Sequence, residues 1–128
     1  MSKSPKKPNV PMRIIVADDE LLIATTLVEI LEIGGFDAEA VSDGVAAIER
    51  ARTIRPDILL SDVQMPNMNG IEAAKKIRGF LPNCRIVLLS GHVETGDLLE
   101  QARAEGHEFE ILTKPVYPED LLSALRKT

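Results

Sequence analysis

A chain of 128 residues, 45% hydrophobic and 27% charged, has the size and composition of one core-forming domain, which argues against two domains and against global disorder. Aromatic residues make up 3% and tryptophan is absent, so the core is aliphatic and the stacking surface of single-strand nucleic-acid binders is missing. The net charge of −5 divides into +3 over residues 1–12, from Lys3, Lys6 and Lys7, and −8 over the rest, with 12 basic and 20 acidic residues; such a body disfavours direct binding to nucleic acid.

Residues 2–11 hold three of the eight prolines beside those lysines, with too little apolar surface to offset the entropy of ordering. Residues 1–11 therefore read as a disordered or extended basic leader and residues 12–128 as the domain. Arg13–Ala17 is a short β-branched run, the pattern of a buried strand. Leu21, Leu22, Ala24, Val28 and Leu31, with Ile30 and Ile33, make a helical stripe that Gly34 and Gly35 end. Phe36–Val41 alternates as a second strand, and Ser42 or Asp43 caps a helix running to Arg52. Pro56 breaks it, Ile58–Ser61 is a third strand, and Met65–Gly70 is a turn-rich loop. Ile71–Phe80 is helical, Arg85–Ser90 is a fourth strand, and a helix runs from Thr95 to Glu105 before Gly106. Phe109–Thr113 is a fifth strand, and Pro118 opens a last helix through Lys127.

Five strands that each precede a helix imply parallel strands joined by right-handed crossovers, with helices on both faces of the sheet. The fold expected is a three-layer, doubly wound α/β domain. Cys84 is the single cysteine, so no internal disulfide or structural zinc site is available, and a reducing cytoplasm is the expected compartment. No apolar run reaches the roughly 18 residues of a membrane span, and no hydrophobic stretch follows the leader as in a signal peptide. No membrane partner is expected.

In such sheets ligands bind beyond the carboxyl ends of the strands. Those ends carry Asp18, Asp19 and Glu20 after the first strand, Asp62 at the third, Ser90 at the fourth, and Thr113, Lys114 and Pro115 at the fifth. Carboxylates crowded on one edge repel one another and rise in pKa unless a cation neutralises them. A few oxygen ligands suit a hydrated hard cation, most simply Mg²⁺. Lys114 and Ser90 are suited to phosphoryl oxygens, and an aspartate can itself be the nucleophile that forms an acyl phosphate. Together these are the parts that phosphoryl transfer needs.

The segments Val16–Glu20, Leu60–Gly70, Leu88–Gly91 and Leu112–Pro115 resemble the receiver domain of two-component response regulators of the chemotaxis-regulator kind. The likeness runs over residues 12–127, with the four motifs in the family's order and spacing. It implies a flavodoxin-like sheet of strand order 2-1-3-4-5 and phosphorylation of Asp62 by a histidine kinase or phosphotransfer protein. It further implies Mg²⁺ held by Asp19, Asp62 and the backbone carbonyl of Gln64, with Asp18 acting mainly through water. Ser90 would move toward the phosphoryl group, Lys114 would pair with it, and the Lys114–Pro115 bond would be cis. Phosphorylation would then change binding of a downstream protein, or dimerisation, through the face of the fourth helix, fifth strand and fifth helix.

The sequence departs from the family at Ile111, where Tyr or Phe is usual and reports activation. Phe109 is a candidate displaced aromatic. Gln64 and His92 occupy positions that influence hydrolysis of the phosphoryl group. Asp43 and Asp57 read as cap and turn residues, His92 and His107 as loop polar groups, and Cys84 as inert. Two other classes share parts of the pattern. A haloacid-dehalogenase-type phosphatase needs an acid two residues after its nucleophile, where Gln64 stands. A flavin-binding electron carrier needs a first loop that cradles phosphate, where Asp18 and Asp19 would repel it.

Overall fold

The structure, a computed structural model, describes residues 10–91 and 95–127. Most of the basic leader and His92 therefore lie outside the described residues. Five strands alternate with five helices in chain order: β1 Arg13–Ala17, α1 Leu21–Ile33, β2 Asp37–Val41, α2 Gly44–Ile54, β3 Ile58–Asp62, α3 Gly70–Phe80, β4 Arg85–Ser90, α4 Thr95–Ala104, β5 Glu110–Thr113 and α5 Pro118–Arg126. The strands form one parallel sheet of order β2-β1-β3-β4-β5. This is the flavodoxin-like strand order that the family resemblance implies.

Period-two alternation divides the core into two layers. On one face Ile15, Leu59, Ile86 and Leu88 meet Ala47 and Ala51 of α2, Ala74 and Ile77 of α3, and Ala102 of α4. On the other, Ile14, Val16, Leu60, Val87 and Leu89 meet Ala24, Leu27 and Leu31 of α1 and Leu121 and Leu125 of α5. Central β3 is buried at all five positions, as its unbroken apolar run requires. On α1 the packed stripe is Ala24, Leu27 and Leu31, with Val28 partly covered. Leu21, Leu22 and Ile33, counted on that stripe from the sequence, are exposed instead.

The ends of the elements follow local chemistry. Asp43 accepts a hydrogen bond from the Ala46 N–H at 2.7 Å and so caps α2, and the Asn69 side chain caps α3 through the Glu72 N–H. Gly35 turns the chain out of α1 in the left-handed region at φ 98°. Strand β2 starts one residue later than the alternation indicates, because the Phe36 N–H is still engaged by the Leu31 carbonyl in the turn that closes α1. Asp57 is a structural residue: it accepts the Arg13 backbone N–H at 2.8 Å.

Candidate functional site

Strands β1 and β3 are neighbours in parallel register, Ala17 opposite Ser61, so the residues that follow them emerge side by side. Asp18, Asp19 and Asp62 each place a carboxylate oxygen within 4.8 Å of the other two. Asp18 and Asp62 are buried and Asp19 is exposed. Lys114 reaches the cluster from the end of β5 and donates from Nζ to Asp62 Oδ2 at 2.8 Å. The other oxygen, Oδ1, accepts the Gln64 backbone N–H at 3.3 Å. The cluster has three acids and one lysine, and therefore an excess of negative charge.

Asp18 carries the electrostatic consequence. Its Oδ1 accepts the Glu20 N–H at 2.9 Å, while its buried Oδ2 has no hydrogen-bond partner among the described residues. Burial pushes its pKa above the ordinary aspartate value, and the Asp62 and Asp19 charges push the same way; the Glu20 N–H and the Lys114 charge only partly oppose them. A buried carboxylate oxygen that faces two further carboxylates is an arrangement compatible with a divalent cation. The donor set is all oxygen, and Mg²⁺ fits it.

The lysine is positioned by β4 and β5. Ser90 and Thr113 are register partners, and the Lys114 N–H donates to the Ser90 carbonyl at 3.0 Å. The Lys114–Pro115 bond is cis, as expected. Gly91 is part of this fit. A Cβ there would stand 3.2 Å from both Cβ and Cδ of Lys114, so the glycine leaves the lysine stem room to lie along the β4 end. Gly91 has no role assigned from the sequence; its place directly after Ser90 is the only signal there.

The structure thus brings Asp18, Asp19, Asp62 and Lys114 together at the carboxyl edge, with Ser90 at the end of adjacent β4 and Gln64 bonded to Asp62 through its N–H. Phe109 is not the displaced aromatic. It lies before β5 begins, on the edge opposite Lys114, with the Arg78 guanidinium 5.0 Å from its ring centre and the His107 ring stacked at 6.0 Å. Ile111 itself stands opposite Leu88 and is 39% exposed. Cys84 is buried and its thiol is pushed up to about 11, chiefly by that burial, so it is inert.

A parallel 2-1-3-4-5 sheet with an acid cluster and a lysine on its carboxyl edge defines a class. Residues 14–126 match the response regulator receiver domain, and the chain belongs to that family. It is 31% identical over 116 residues to the chemotaxis protein CheY of Thermotoga maritima, spanning 90% of this chain and 95% of that protein. It is 32% identical over 114 residues, 89% of this chain, to the DNA-binding response regulator MtrA of Mycobacterium tuberculosis, of whose length it spans 49%. Among solved structures it resembles the chemotaxis protein CheY4 of Vibrio cholerae, with a TM-score of 0.82, 28% identity and coverage of 91% and 98% of the two chains. A receiver domain protein of Clostridium thermocellum gives a TM-score of 0.80 at 29% identity, covering 89% of this chain and 90% of that one. This is a two-component response regulator receiver, a signalling module of a family in which a phosphorylated aspartate and Mg²⁺ are typical. Neither the phosphatase nor the flavin-carrier reading is favoured. Among the described residues no helix is long and apolar enough to cross a membrane.

Proposed function

We propose that Asp62 is the phosphoryl acceptor, and the observation that carries this reading is its setting. It is a nearly buried strand-end carboxylate with Lys114 on one oxygen and two further carboxylates within 4.8 Å. A carboxylate oxygen of Asp62 forms the new bond to phosphorus as the bond from phosphorus to the donor's imidazole nitrogen breaks, and the electron pair returns to the imidazole. The donor is a histidine kinase or phosphotransfer protein. Lys114 is freed from the carboxylate to pair with a phosphoryl oxygen, and Ser90 donates its hydroxyl to another. Asp19, Asp62 and the Gln64 carbonyl would hold Mg²⁺, with Asp18 acting mainly through water, and the bound metal would supply charge neutralisation to the transferring group. The module so assists its own phosphorylation.

Output runs through the α4–β5–α5 face to a downstream protein or a second receiver. Support comes from how lightly that side is held: α4 buries only Ala102 among its described side chains, and no residue of β5 is fully buried. Intact-mass measurement after acetyl phosphate with Mg²⁺ tests the site. One phosphoryl group is expected on the wild type and none on Asp62→Asn or in EDTA. A wild type that gains no mass, or an Asp62→Asn protein that gains it equally, overturns the assignment.

A further inference from the structure

Gly44 opens α2 and is buried, with no left-handed backbone angle; the conformation there does not call for glycine. Space does. A Cβ at this position would fall 2.9 Å from the Met68 carbonyl oxygen and 3.2 Å from Met68 Cβ and Cγ. The first of these is closer than carbon side chains tolerate, and the obstacle is backbone, which cannot rotate aside. The first turn of α2 is thus pressed directly on the β3–α3 loop, the segment that joins Asp62 to α3.

That loop cannot yield at its base. The Val63 N–H donates to the Leu89 carbonyl at 3.1 Å and the Gly70 N–H to the Val63 carbonyl at 2.8 Å. Gly70 lies so close to β3 that a Cβ would stand 2.1 Å from the Asp62 carbonyl. At the tip, the Met68 N–H donates to the Pro66 carbonyl at 2.8 Å across Asn67, which is held at φ 71°. A group pushed in at position 44 therefore acts on a loop pinned at both feet, and the displacement falls on residues 64–67. Gln64, whose N–H bonds to Asp62 Oδ1, is among them.

We propose that Gly44 is a positioning residue for the cation site, acting through Met68 to set where the Gln64 backbone stands relative to Asp62. The inference rests on the Mg²⁺ reading above. Residues behind the ligands of a metal site commonly change affinity by ten- to a hundredfold when altered. The lower end applies to one methyl group, so Gly44→Ala is expected to weaken Mg²⁺ binding about tenfold in calorimetric titration. Met68→Ala, which trims the contact from its other side without overlap, is expected to weaken it about threefold, and neighbouring exposed Val45→Ala not at all.

Melting in EDTA is measured beside each titration. A merely structural glycine would lower the melting temperature and leave the Mg²⁺ affinity of the folded protein unchanged, and that result overturns the proposal. Should Gly44→Ala fail to fold, Met68→Ala decides the matter, with unchanged affinity again counting against it. A wild type without Mg²⁺ affinity would overturn the functional reading itself, an outcome distinct from equal affinity in wild type and variants.

Discussion

Replacing Asp18 by Asn is expected to stabilise the metal-free protein. The Asp18 side chain is 1% exposed, its carboxylate lies within 4.8 Å of two others, and its Oδ2 has no donor among the described residues. At that separation and an effective dielectric of about 20 to 40, each like-charge pair costs about 2 to 3.5 kcal/mol, most of which the Lys114 charge and water around exposed Asp19 offset. An asparagine keeps the oxygen that accepts the Glu20 N–H, and its amide N–H₂ faces the remaining carboxylates. A net gain of about 1–2 kcal/mol is expected, or roughly 4–8 °C in melting temperature for a domain of this size. Circular dichroism melts in EDTA and in millimolar Mg²⁺ test it. The wild type gains stability from Mg²⁺ by mass action, whereas Asp18→Asn starts higher and gains less. A variant that melts below the wild type in EDTA, or is stabilised equally by Mg²⁺, would refute the view that uncompensated charge is the defining property of this edge.

Lys114→Ala is expected to retain Mg²⁺ binding in calorimetry while phosphorylation no longer alters binding to a partner; unchanged coupling would remove Lys114 from that role. Arg85, at the opposite end of β4, donates to both Glu110 oxygens at 2.6 and 2.7 Å and to the carbonyls of Ala124, Leu125 and Lys127. The half-exposed ion pair adds at most about 1 kcal/mol and each carbonyl bond about 0.5–1, so Arg85→Met should cost about 2–3 kcal/mol in urea unfolding, and a loss under half of this would contradict the clamp. Arg85 holds the Glu110 pKa below its usual value. The carboxylate's contribution is therefore present above the unfolded pKa and lost as pH falls through the folded one, so the gap between wild type and Arg85→Met should narrow below about pH 4. With its thiol at about 11, Cys84 should react with alkylating reagents only as fast as the fold opens; rapid labelling of native protein, relative to a urea-unfolded control, would show otherwise.

How far the sequence could be read depended on whether a feature leaves a trace in residue type. Strands β1, β3 and β4 were legible because burial on both faces demands unbroken apolar runs, and the acids after β1 and β3 were legible because acids in such surroundings need a reason. Their place on one edge required only that parallel strands end there, and their convergence required β1 and β3 to be neighbours, which the family resemblance implied and the residue pattern did not. The α1 stripe was less legible. With apolar residues at 21, 22, 23, 24, 27, 28, 30, 31 and 33, almost any face reads as hydrophobic, and only packing against α5 and the sheet selects Ala24, Leu27 and Leu31. Gly44 left no signal and Gly91 none beyond its place after Ser90, since their importance is the space denied to a Cβ by residues 24 and 23 positions away.

Strand β5 shows the same limit in a form that bears on output. Phe109 and Ile111 share one face by alternation, and the chain alone does not say which of them lies near the site. Register decides it: Thr113 pairs with Ser90 and Glu110 with Val87, so Phe109 falls before the strand, against Arg78 of α3, and Ile111 occupies the position where the resemblance implies an aromatic ring. A branched aliphatic side chain has no ring to swing and no hydroxyl to exchange partners. A change at this edge on phosphorylation would then rest on lightly anchored α4, which buries only Ala102 among its described side chains, with Ile111 filling or vacating space. Substituting Tyr at Ile111 offers the comparison: if ring reorientation is dispensable here, Ile111→Tyr leaves the phosphorylation-induced gain in partner affinity within about twofold, a difference under 0.5 kcal/mol. A large gain would mean that the native chain switches weakly for want of the ring.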